Sequence, residues 1–537
     1  MLAAFFATVV AGGATASVDL KAATASPLVV NAPFGPATLD LAANACGAHD
    51  HWGINFYSQL TRWGSKPGSK TDAFGRPFSG GLVMSQMDEN RLVPYVANSW
   101  TQSKDGRAFT LRLNPNARFN DGTRITAQAV KFSYERAVAR KSCGATYWAG
   151  GISVPPNPAT VTTPNARTVV IRFAYRGAPY LAGFAQAPAS IFSPAQVAKH
   201  PDQEGVTVNP YWASNIAGGG GPFLLDRYEP NRLMTMRRNP RFLGPKPLSE
   251  RVTVNFLSQE ALLLQARSGR ADITYGLSPR SVLSLRNNRN VNIIEVPNHY
   301  EWSINLNWKF PPLNDKRFRE ALTYAIPYQD ILDEVQLGFG KLYYGPITHK
   351  LRFFNPKVSP PRSFNLARAK MLIAQTGVKT PLDMQMVVQQ GSGVPEQVAT
   401  ILQSIWGQLG IKLNVTALSP AEYAATVGAK KAQMSIRAGG AGTPYANWQL
   451  DYDMRCGSPF NLSDICIPAA EKLLDQAEAS TDPAVQQRLY DRIVQLWRAE
   501  SPRIVLFGWH DLVVVNKRVK QYTWYSRPGV GLDRVRK

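Results

Sequence analysis

Apolar residues recur along this chain with two periods. Phe109, Leu111 and Leu113 alternate with Thr110 and Arg112, the period of a half-buried strand. Asp105-Gly106 and Asp121-Gly122 are two-residue turn signals on either side of it. Thr126 stands where an N-cap hydroxyl opens a helix over Ala127 to Ala137. Val252, Val254 and Phe256 alternate again. Ser258 then caps a helix through Leu262, Leu263 and Ala266, Gly269 closes it, and Asp272 to Tyr275 returns as a strand, which makes a βαβ unit. Val398, Ile401, Leu402, Ile405 and Leu409 follow helical spacing up to Gly410, ahead of a strand over Ile411 to Ala417. Asp482-Pro483 opens a further helix by N-cap and first-turn proline, with Val485, Leu489, Ile493, Leu496 and Trp497 as its predicted buried face. Strands alternating with helices predict an α/β protein.

At 537 residues the chain is too long for one simple core and should divide into two or three lobes. Its formal net charge is +23, but the basic residues are scattered and no nucleic-acid-binding motif is present. Most of that charge reads as solvated surface. Met1 to Ala16 is apolar and small-residue-rich, and Ala14-Thr15-Ala16 and Ala23-Thr24-Ala25 are candidate cleavage sites. The stretch is too short to span a membrane, lacks a basic start and has no cysteine at its end. The expected product is an exported protein without a lipid anchor. Four cysteines suit an oxidising compartment. Cys456 and Cys466 flank a Gly/Ser/Pro/Asn loop and suit a local bridge, which leaves Cys46 with Cys143. All three pairings are open in principle.

Several segments together resemble a known family. They are Asp105-Gly106-Arg107-Ala108-Phe109-Thr110-Leu111-Arg112-Leu113 with Phe119 to Ala127, Leu92 to Trp100, Gly218 to Phe223 with Arg238-Asn239-Pro240, and Asn305 to Leu322. Ala37-Thr38-Leu39-Asp40 and Phe364 to Lys370 add to the pattern. It resembles that of the family 5 extracytoplasmic solute-binding proteins of ABC importers, the dipeptide and oligopeptide receptors, from about Pro27 onward. The glycine run at Gly218 to Gly221 has no GK[ST] after it and reads as a tight turn into a strand over Phe223 to Tyr228, not as a phosphate cradle.

The resemblance implies a two-lobed periplasmic-binding-protein clamp of the cluster C, type II-like kind, with an additional domain. The implied division is a leader over 1–26, lobe I from 27–58, 208–295 and 508–537, an accessory domain over 59–207 and lobe II over 296–507. Ligand is then expected in the crevice between the lobes. Three regions should line it: Asn44 to Trp52, with Asn44, His49 and Trp52 as candidates; Tyr300, Glu301 and Trp302; and Arg437 to Trp448, with Arg437, Thr443, Tyr445 and Trp448. In the peptide receptors a carboxylate in the third region pairs with the peptide ammonium. Here Thr443 occupies that position and Arg437 the place of an aromatic residue. The arginine that dipeptide receptors use for the ligand carboxylate would fall near Gln390 to Val394, where there is none. An uncompensated buried ammonium costs several kcal/mol. Glu301 is a substitute acid on another wall. Arg437 favours a carboxylate or phosphate if it points inward, and is scaffold if it pairs with an acid of its own lobe.

The expectation is a periplasmic receptor of Gram-negative type, monomeric, that hands a peptide-like or anionic small solute to a membrane permease. A metal chelate or haem is the alternative, prompted by His49-Asp50-His51, but two histidines do not make a tight metal site. A hydrolase is disfavoured, since no G-x-S-x-G, H-E-x-x-H, P-loop or Cys-His signature occurs. No cofactor, catalytic residue or resident metal is expected.

Overall fold

The computed structural model describes residues 26–43, 48–151, 158–175, 179–525 and 530–537; the side chains of 48–51 and of Cys143 are outside the description. The leader, Asn44 and Cys46 therefore lie outside the described residues, as do the side chains of His49 and Cys143.

A ten-stranded sheet runs through the molecule. Its order is Ile411–Leu418, Leu382–Gln389, Met434–Gly440, Val291–Leu306, Arg503–Asn516, Ile273–Thr274, Leu28–Ala32, Arg251–Phe256, Leu233–Arg238 and Phe223–Glu229. The fourth and fifth strands are long and shared by both halves. The first three lie on one side of this pair, within residues 296–507, and the last five on the other, within 27–58 and 208–295. The predicted βαβ unit forms, with Ser258 Oγ accepting from the Ala261 amide, but its two strands are not neighbours. Leu28–Ala32 sits between them, parallel to both. Two smaller sheets complete the fold. One is Ala97–Gln102, Ala108–Leu113, Thr168–Phe173 and Ala159–Asn165; the other is Gln521–Trp524, Val83–Pro94 and Thr61–Pro67. The end of the chain thus joins a sheet of the accessory segment.

Local signals explain most elements. Thr126 Oγ1 accepts from the Ala129 amide and opens the helix Ala127–Ala139. Asp482 caps Pro483–Glu500 through the Ala484 amide at 2.8 Å. The buried face of that helix is Tyr490, Ile493, Val494 and Trp497, so the stripe is turned by about one residue from the predicted one. The large aromatic Tyr490 takes the core position that Leu489 was expected to fill. Gly218 has φ +79°, and a Cβ on Gly219 would stand 2.1 Å from the Phe56 carbonyl oxygen. The glycine run is there because two backbones touch. Asp40, in the entry motif, is fully buried because Arg136 grips both its oxygens at 2.8 and 2.7 Å.

Cys456 and Cys466 are bridged, closing a short loop of sequence separation 10. Replacing both with serine is expected to cost roughly 2–3 kcal/mol, chiefly by freeing the unfolded chain. Urea denaturation should show it as a lower midpoint at nearly unchanged slope.

Candidate functional site

The two long strands form the joint between the lobes. They pair antiparallel from Val291 opposite Asn516 to Pro297 opposite His510, and resume at Glu301 opposite Gly508. Residues 298–300 leave this ladder. Asn298 uses the step: its Nδ2 donates to Asp511 Oδ2 at 2.5 Å, and its Oδ1 accepts from the His299 amide at 2.6 Å.

A cavity of about 520 Å³ opens at this joint. Ser278 and Arg280 line it from lobe I, Trp302 and Trp509 from the joint, and Val394 and Gln397 from lobe II. The indoles of Trp302 and Trp509 lie 6.0 Å apart, tilted by 37°. Trp302 is buried, and its Nε1 has no hydrogen-bond partner among the described residues. Asp511 and His510 complete the wall. Burial pushes the Asp511 carboxyl up to about 7, against the hydrogen bond from Asn298. The helix Gly393–Gly407 begins at the cavity, with the Gly391 amide donating to Glu396 Oε1.

The neighbouring face of the joint is a buried polar network. Glu301 is fully buried and accepts from the Tyr343 hydroxyl, from Thr348 Oγ1 at 3.3 Å and from Arg503 Nη2. Arg503 also donates to Asp453 Oδ2 at 2.9 Å, and Arg437 Nη2 donates to Asp453 Oδ1 at 2.7 Å. Burial opposes the Arg503 charge, but Asp453 and Glu301 outweigh it and keep the guanidinium protonated. Two acids and two guanidiniums thus balance inside lobe II.

The structure places two of the expected residues away from this cavity. Glu301 does not face the cavity, because alternation along its strand puts Trp302 there and turns Glu301 to Arg503. Trp52 packs edge-on against Phe256, with ring centroids 5.9 Å apart, inside the core of lobe I. Arg437 is held by an acid of its own lobe. Asp511 was not among the candidates; its only sequence signal is a charge interrupting the apolar run from Ile504 to Val515.

Two of the remaining candidates, Trp448 and Tyr445, reach the 59–207 segment. Trp448 meets Tyr147 of the accessory domain with ring centroids 4.7 Å apart. A Cβ on Gly151 would stand 2.4 Å from the Trp448 ring. Tyr445 packs with the cluster of Trp63, Met87, Ala182 and Ala185. Thr443 is fully buried, and its Oγ1 has no partner among the described residues. Tyr300 stacks edge-on with Trp509 at 6.4 Å.

Charges cross the crevice too. Glu89, on the strand Val83–Pro94, accepts from His299 Nε2 at 3.1 Å and faces Lys350 Nζ of lobe II at 3.5 Å. Burial alone would raise the Glu89 carboxyl, but the hydrogen bond and charge of His299 and the charges of Lys350 and Lys66 hold it below its ordinary value. A carboxyl depressed in the joined state stabilises that state above its ordinary value of 4.5 and loses this as pH falls through the depressed one. Lobe closure is therefore expected to weaken below about pH 4.5, and Glu89→Gln should flatten the change. Scattering curves recorded against pH check this.

Two lobes joined by paired crossing strands, with a cavity at the joint, make a two-lobed α/β clamp. The chain belongs to family 5 of the bacterial extracellular solute-binding proteins: the family's model, described as "family 5 Middle", matches residues 91–461. It is similar to the "Probable D,D-dipeptide-binding periplasmic protein DdpA" of Escherichia coli K12, 27% identical over 437 residues, covering 80% of this chain and 81% of that one. In fold it matches the periplasmic binding protein DppA of Helicobacter pylori in complex with the peptide STSA, with TM-score 0.78, 19% identity and coverage of 95% and 96%. It also matches NikA of Brucella suis in complex with Fe(III)-EDTA, with TM-score 0.77, 18% identity and coverage of 95% and 99%. No helix among the described residues is long and apolar enough to cross a membrane.

Proposed function

We propose that this protein captures a peptide-like small solute in the cavity between its lobes, closes over it, and delivers it unchanged to a membrane permease. The observation that carries this reading is the joint cavity of about 520 Å³, walled by two indoles and by both lobes. That volume suits a ligand of dipeptide to tripeptide size. The D,D-dipeptide receptor named above supports the peptide-like class. An anionic solute is the weaker reading, since Arg437 already serves Asp453. The metal-chelate reading has the NikA fold in its favour.

Of the expected ligand residues, Trp302 lines this cavity and Tyr300 supports Trp509 in its wall; Thr443, Tyr445 and Trp448 lie outside its lining and, with Asn44 and His49, stay candidates on sequence grounds. Arg437 acts as a positioning residue beneath the loop that carries Thr443. The domain division is proposed as drawn from the sequence, with Gln521–Trp524 reassigned to the accessory side by its pairing with Val83–Gln86. A periplasmic, monomeric protein without a lipid anchor completes the proposal.

Native mass spectrometry of protein taken from its own cells tests the reading. A co-purifying mass of a peptide-like compound, lost on unfolding and refolding, is expected. A chemically altered product on re-addition of that compound would overturn it.

A further inference from the structure

The joint cavity holds an acid with no counter-charge. In a chain with 60 Lys and Arg against 37 Asp and Glu, buried acids elsewhere are gripped by guanidiniums. Asp40, Asp453 and Asp451 are held by Arg136, Arg503 and Arg455. Asp511, half-buried in the cavity wall, is different. Its Oδ2 accepts from Asn298, its Oδ1 has no partner among the described residues, and no described cation forms a salt bridge with it.

Its surroundings add to this. Trp302 and Trp509 share the cavity with it, and the face of an indole attracts a cation. The Nε1–H of Trp302 is itself covered and has no partner among the described residues. The other charged groups of the wall are otherwise placed. His510 is engaged by Glu295 at 2.6 Å through Nδ1 and by His349 at 3.1 Å through Nε2. Arg280 and Glu334 are exposed, at the rim. Among the described residues, no cation pairs with Asp511 or lies over either indole.

We infer that Asp511, Trp302 and Trp509 form a subsite for a cationic nitrogen of the solute. This rests on the peptide-like reading and extends it. It places the acid that recognises the cation on the joint strand Arg503–Asn516 and not in the loop around Thr443. The nitrogen has two possible sources, the ammonium at the start of a peptide or a basic side chain. Because the group sits on a strand shared by both lobes, the bound cation would touch the joint itself. Uptake of the cation would also draw the proton from Asp511, so affinity should rise with pH through neutrality. The titratable groups facing that change are His510, Glu295, Glu334 and Tyr522.

The test is calorimetric titration of the solute-free protein with alanyl-lysine, alanyl-norleucine and N-acetyl-alanyl-norleucine. Each is titrated into the wild type, Asp511→Asn and Trp302→Phe. Asp511→Asn preserves shape and can still accept from Asn298, so folding is not at stake; Trp302→Phe keeps an aromatic ring but shrinks the face offered to the cation. The expected result is a loss on the order of tenfold to a hundredfold in Asp511→Asn for the probe whose cation occupies the subsite. If the side chain is the source, alanyl-lysine binds more tightly than alanyl-norleucine and only its affinity falls. If the terminal ammonium is the source, both free dipeptides lose affinity in the variant and the acetylated one is weak throughout. Dipeptides that bind the wild type and Asp511→Asn within twofold of each other would overturn the subsite and leave the receptor reading standing. Failure of every probe to bind the wild type would overturn the peptide-like reading and the subsite with it.

Discussion

Replacing Arg503 with methionine is expected to lower the unfolding free energy by roughly 3–5 kcal/mol, the range for removing one partner of a buried ion pair. Arg503 is among the largest fully buried side chains, and it bonds Glu301 and Asp453 at once. Without it, two carboxylates remain in the interior. Arg437 compensates one of them and the hydroxyls of Tyr343 and Thr348 only solvate the other. The double variant Glu301→Met/Arg503→Met keeps the Asp453–Arg437 pair and removes the opposed charges together. It should be more stable than Arg503→Met alone, which a double-mutant cycle in urea would measure as coupling. Equal stability of the two variants would show that Glu301 is not the partner that matters.

Trp448→Ala is expected to weaken solute binding by on the order of thirtyfold or more, the scale of a well-packed tryptophan at an interface. The ring belongs to lobe II and rests on Tyr147 and Gly151 of the accessory domain. Its loss removes an apolar contact present only when the lobes meet, so the competent closed state becomes rarer and apparent affinity falls with it. Tyr147→Ala attacks the same contact from the other side and should act in the same direction without disturbing lobe II. Gly151→Ala should do so as well, since a methyl group there meets the ring and the residue sits at φ +94°. Affinity unchanged in all three would mean that this contact plays no part in closure.

Much of the fold was legible in the sequence. Alternation marked Ala108–Leu113 and Arg251–Phe256, and caps at Thr126, Ser258 and Asp482 marked helix starts, because those signals are local. The site was less so, because it depends on pairing between distant residues. Alternation shows that Glu301 and Trp302 face opposite ways, but not which way the cavity lies. That is set by the skipped pairing at 298–300 against a strand some 200 positions later. Arg437 carried the same ambiguity, settled by Asp453, one helix further on. Trp52 reads as crevice or core with equal ease until Phe256 is beside it. Asp511 lay in a stretch that scans as a plain buried strand, and its exposure to a cavity comes only from the joint.

Small-angle X-ray scattering tests most directly the claim that a solute is enclosed between moving lobes. Three samples are needed: protein as isolated with its co-purified solute, the same protein unfolded and refolded free of it, and the refolded protein with the small-molecule fraction returned. A hinged clamp predicts a compact particle, then a more extended one, then the compact one again. Identical curves from all three, with mass spectrometry showing solute in the first and third, would contradict it.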